Sequence, residues 1–141
     1  MIMKSPLIIF LIGGAVLSVF FSCATVPKEP LASGEVRLLS IDAVGAGVKA
    51  SSTFAVNVFY EAAGKPKFQR ACFYESGEEP FCFDASDISY AILGAKQAFQ
   101  VYLPGLRTGS HRVECYVEYI QDGETRKTNV VFTQIIAGTN S

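Results

Sequence analysis

The chain has 141 residues, with 12 Lys and Arg against 13 Asp and Glu and a formal net charge of −1. No basic run follows a groove or a helix face, so counterion release has nothing to act on, and nucleic acid is excluded as a partner. A single His and no C-x-x-C pair leave no zinc ligand set, and no phosphate-cradling or nucleophile-elbow glycine pattern occurs.

The first 23 residues read MIMKSPLIIFLIGGAVLSVFFSC. Lys4 supplies a short positive start, and the apolar run from Leu7 to Phe21 is interrupted only by Gly13, Gly14 and Ser18, as in a secretory signal. The run is short for a hydrocarbon core of about 30 Å, and no basic stop-transfer cluster follows it, which disfavours a retained anchor. Phe20-Phe21-Ser22-Cys23 resembles a bacterial lipobox. The resemblance implies that 1–22 is removed, that Cys23 is lipidated, and that Ala24 behind it permits sorting to the outer membrane. Ser22-Cys23-Ala24 also fits the small-x-small site of ordinary signal peptidase, which would release a soluble protein, so both cleavages remain open. Residues 23–34 then carry Pro27, Pro30 and a charge pair without an apolar period, and read as a semi-extended tether.

From residue 35 to 141 the chain reads as one all-β domain. Apolar residues recur mostly at every second position between turn signals, giving strands over 35–43, 53–61, 66–75, 80–84, 98–103, 110–121 and 124–136. Phe54, Val56, Val58 and Tyr60 share one face. Val113, Cys115, Val117 and Tyr119 share another, with Arg112, Glu114, Tyr116 and Glu118 on its reverse. Asp122-Gly123 suits a two-residue hairpin turn with positive φ, which sets Val113 opposite Phe132 and Cys115 opposite Val130. Residues 84–94 leave a short helix, an edge strand or a loop open. About seven strands in roughly 105 residues predict a two-sheet sandwich.

The run Leu106-Arg107-Thr108-Gly109-Ser110-His111-Arg112-Val113, with the alternating strand, the Asp-Gly turn and the last strand behind it, resembles the C-terminal half of bacterial immunoglobulin-like domains. It covers 98–136 well and 50–75 loosely. Trp is absent and no Cys pair stands at the antibody positions, so an antibody-type domain is not implied. The resemblance implies an immunoglobulin-like sandwich serving adhesion, spacing or assembly rather than catalysis.

Cys72 and Cys82 flank a turn centred on Gly77, so a hairpin sets them opposite one another near disulfide reach. Cys115, facing inward with Val113 and Val117, is expected as a free, buried thiol. His111 shares the Cys115 face, but four strand residues span about 13 Å, too far for a Cys–His dyad. Asp84, Ser86 and Asp87 are too few for a calcium signature. No catalytic residue, cofactor or metal is therefore expected. Arg70, Tyr74, Arg112 and Tyr116 point outward on the central strands, and Tyr and Arg are enriched in interface anchors. The plainer alternative for these four is cross-strand pairing in water. The sequence thus predicts a lipid-tethered, non-enzymatic module of the cell envelope. Its partners would be the membrane, through the lipid, and an envelope protein, peptidoglycan or other polysaccharide. The rival is a small envelope enzyme or inhibitor with its active residues in 84–94.

Overall fold

The computed structural model describes residues 29–45 and 47–138. The signal segment 1–22 and Cys23 lie outside the described residues, as does the start of the tether. Among the described residues no helix is long and apolar enough to cross a membrane.

Among the described residues ten strands follow in chain order: β1 (Val36–Ala43), β2 (Val48–Lys49), β3 (Phe54–Ala62), β4 (Phe68–Glu75), β5 (Phe81–Asp84), β6 (Ser89–Leu93), β7 (Lys96–Leu103), β8 (Gly109–Gln121), β9 (Glu124–Lys127) and β10 (Val131–Gly138). One sheet has the order β1-β3-β7-β6, and the other runs β2-β10-β8-β4-β5 with β9 also paired to β8. The strand order matches the immunoglobulin arrangement, in which the first, second, fourth and fifth main strands form one layer and the third, sixth and seventh the other. The fold is an immunoglobulin-like β-sandwich.

Alternation builds the core. Phe54, Val56, Val58 and Tyr60 of β3 and Val113, Cys115, Val117 and Tyr119 of β8 all turn inward and are buried, around a fully buried Phe99 from β7. The β8–β9 turn takes the expected form, with positive φ at both Asp122 and Gly123. Before β1, the Gly34 N–H donates to the Ala63 carbonyl (2.9 Å) and the Gln121 side-chain amide donates to the Ser33 carbonyl (2.9 Å). The end of the tether segment is therefore hydrogen-bonded to the sandwich.

The structure corrects the last strand. Residues 124–136 form two strands, because one extra residue enters between them. Glu118 pairs with Lys127, but further along Cys115 pairs with Val131 and Val113 with Thr133, rather than with Val130 and Phe132. The cause is polar. Thr128 turns inward, its Oγ1 accepting the Val117 N–H at 2.9 Å and donating to the Asn129 carbonyl at 2.8 Å. The Asn129 side chain meanwhile turns to the opposite sheet. Its Oδ1 accepts the Leu38 N–H and its Nδ2 donates to the Leu38 carbonyl, both at 2.9 Å. Leu38 can receive it because β1 is itself irregular there: pairing with β3 skips a residue between Leu38 and Ser40. Two bulges, one in each sheet, thus meet through a single amide. Downstream of the shift, Val130 and Phe132 are about half exposed.

The 84–94 segment resolves into a 3₁₀ turn at Ala85–Asp87 followed by the edge strand β6.

Candidate interaction surface

In the β4–β8 register, Arg70 pairs with Glu118, Cys72 with Tyr116 and Tyr74 with Glu114. Period-two alternation sends all of these to the outer face of the larger sheet, together with Arg112. The four residues singled out from the sequence therefore do share one surface. They are also engaged with one another. Arg70 Nε donates to Glu118 Oε1 at 2.7 Å, Tyr74 Oη donates to Glu114 Oε1 at 3.0 Å, and Arg112 Nε donates to Glu114 Oε2 at 3.1 Å. The hydrogen bond and charge of Glu118 hold the Arg70 guanidinium still more firmly protonated. Partial burial, then the bond to Glu114, pushes the Tyr74 phenol up. Glu114 and Glu118 are mostly covered, whereas Arg70 and Arg112 keep 48% and 46% of their side chains exposed, so the cationic ends are what a visitor meets.

Aromatic contacts tie the face together. The Tyr74 and Tyr116 rings lie 6.1 Å apart, and Lys127 Nζ sits 4.5 Å from the Tyr116 centroid. The Arg112 guanidinium lies 3.7 Å from the centroid of Phe132, a cation–π contact. Phe132, Lys127 and Ile136 extend the surface beyond what the sequence indicated. Phe132 was missed because a one-residue shift moves a side chain to the other face. The Thr128-Asn129 pair marks the place of the shift, but as polar strand residues the two give no sign of it by themselves.

Beneath this face Cys72 and Cys82 are joined as a disulfide, with Cα atoms 4.1 Å apart and both on the outward side of β4 and β5. Cys115 is free and buried, and desolvation pushes its thiol far above the usual range, so it supplies no thiolate. His111 is occupied elsewhere: Nδ1 lies 2.8 Å from Glu75 Oε1 and Nε2 lies 2.7 Å from the Arg107 carbonyl. Two acceptors facing the two ring nitrogens favour the imidazolium. The Glu75 bond first, then the Arg107 carbonyl, raise the His111 pKa above its ordinary value.

One end of the sandwich carries a depression of about 190 Å³. Phe54, Phe73, Leu103 and Val113 form its floor, and Glu75, Glu78 and Glu79 stand around it. Among the described residues no group of three or more His, Cys, Asp or Glu is arranged to hold a metal ion.

No family model matches the chain, and no curated protein matches it. Among solved structures the chain is similar to fibronectin(III)-like modules of Clostridium thermocellum CbhA. The two are 13% identical with a TM-score of 0.41, over 74% of this chain and 96% of that one. Strand order and register by themselves give the sandwich its immunoglobulin-like topology.

Proposed function

We propose that the chain is a lipid-tethered, non-enzymatic interaction module of the cell envelope, and that an envelope protein docks on the outer face of its larger sheet. The observation that carries the proposal is the cluster of exposed Arg70, Arg112 and Phe132 with half-buried Tyr74 and Tyr116, in which Glu114 and Glu118 hold Arg70, Arg112 and Tyr74, and Arg112 in turn lies over Phe132. Rings and guanidinium groups fixed before contact lose little entropy when a partner covers them, which is why such residues serve as binding anchors. Val130 and Ile136 add exposed apolar area around Phe132, with Ile136 74% exposed. Cys23 behind the apolar run supports the lipid tether, and Ala24 after it supports sorting to the outer membrane.

A photocrosslinking residue at Ile136 tests the docking face in cells, with the same residue at Tyr102 as control. Tyr102 is 66% exposed but belongs to the other sheet. A discrete adduct from Ile136 alone, lost on Arg112→Ala with Phe132→Ala, supports the proposal. Equal adducts from both sites contradict it. In the same cells wild type should label with fatty acid and Cys23→Ser should not; an unlabelled soluble wild type would remove the tether.

A further inference from the structure

The margins of the two sheets are defended unequally. An open strand edge presents unpaired N–H and C=O groups, and folded chains blunt it with charge, proline, bulges, shortness or cover. β1 has Arg37 and Asp42, a bulge, and the Asn129 amide on the Leu38 backbone. β2 is two residues long, β5 is four residues long, follows Pro80 and ends at Asp84, and β9 is Glu-Thr-Arg-Lys. β10 is flanked by β2 and by β1.

β6 has none of these devices. Its sequence is Ser-Tyr-Ala-Ile-Leu, and all five residues are exposed, with Ile92 at 75% and Tyr90 at 49%. It pairs with β7 from Ser89 opposite Gln100 to Leu93 opposite Lys96. Among the described residues nothing bonds its other margin. The strand is nonetheless held in place, because the Tyr90 ring stacks on Phe68 with centroids 5.6 Å apart.

We infer that β6 pairs antiparallel with β6 of a second copy of this chain, about a twofold axis at Ala91. The free backbone groups call for another strand, and two features select the chain's own. Centred on Ala91, the pairing sets Tyr90 opposite the partner's Ile92 and Ser89 opposite the partner's Leu93, so each ring meets an aliphatic side chain and no charge meets its like. The charged residues at the two ends are of opposite sign: Asp87 precedes the strand, and Lys96 sits beside Leu93. An antiparallel partner brings its Lys96 to the end that carries Asp87, whereas a parallel one would bring Asp87 to Asp87. Such a surface is complementary to itself under twofold rotation, as an isologous interface requires. The two four-stranded sheets would then run on as one. This interface lies on the sheet opposite the proposed partner face, so its failure leaves that proposal standing.

Ala91→Cys in the full exported chain is the test. Across the twofold axis the two introduced thiols come within about 4.5–5.5 Å at Cβ, near disulfide reach. Mild oxidation should therefore give a covalent homodimer of twice the mass, with the bond mapped to position 91 by mass spectrometry. Ser89→Cys should not link, since its own copies lie about 13 Å apart in this register. Adding Ile92→Lys, at an exposed position the fold does not depend on, should abolish the Ala91→Cys dimer. The inference is overturned if Ala91→Cys stays monomeric, if it links to a different protein, if Ser89→Cys links equally well, or if Ile92→Lys leaves the dimer intact.

Discussion

Replacing Asn129 by Ala removes the one amide that serves both bulges. Its two bonds to Leu38, 2.9 Å each, satisfy a backbone N–H and C=O of a residue that is only 2% exposed. A buried polar group stripped of its partner costs about 1–3 kcal/mol. Asn129 itself is exposed, so water can partly replace its amide, and the lower end applies: about 1 kcal/mol for each group, about 2 kcal/mol together. In a domain of this size each kcal/mol lowers Tm by about 4 °C, so Asn129→Ala should melt about 8 °C below wild type. Circular dichroism melts give the shift, and urea titration should show a lower midpoint with an unchanged slope, because the surface exposed on unfolding stays the same. Val130→Ala, next in the chain and half exposed, is the control and should move Tm by no more than about 2 °C. If Asn129→Ala behaves like Val130→Ala, the amide is not what joins the sheets at this corner.

The pair of His111 and Glu75 makes stability depend on pH. Folded His111 holds its proton above the ordinary value of 6.5. Its contribution is therefore complete below about pH 6.5 and fades as pH rises through the higher folded pKa. Glu75→Gln removes the chief cause, so the stability gap between wild type and variant should narrow from pH 6 to pH 8; a constant gap would refute the pairing. Replacing both Cys72 and Cys82 by Ala removes a cross-link spanning ten residues, for which chain entropy gives somewhat under about 3 kcal/mol. Urea unfolding should show that loss with the fold retained, and loss of the native circular dichroism spectrum would contradict it.

The strands that proved legible in the sequence bury one face and leave the other wet. β3 and β8 alternate because a one-residue slip would expose every core side chain, so pattern and register specify each other. The Asp122-Gly123 turn and the Cys72–Cys82 pairing were legible for local reasons, one dihedral and one a matter of two positions about a turn. The β9–β10 break was not. Thr128 and Asn129 look like solvent-facing strand residues unless it is known that Leu38, some ninety positions earlier, waits for the amide. β2 is too short to show a period, and β6 shows none because both its sides are exposed. The candidate surface was legible as far as parity holds on β4 and β8. It stopped at Phe132, where the inserted residue reverses the parity of the strand beside them.

The disulfide also settles how the larger sheet can come apart. β5 pairs with its sheet through four residues of β4, an attachment that would ordinarily fray first. With Cys72 and Cys82 bonded, peeling inward from that margin stops after the first pairs, and separation has to begin from the β10 side or between the layers. A protease that cuts the turn at residues 76–80 would leave both fragments covalently joined and the strand still in its slot. A nick in that five-residue connection would then be a scar rather than a wound.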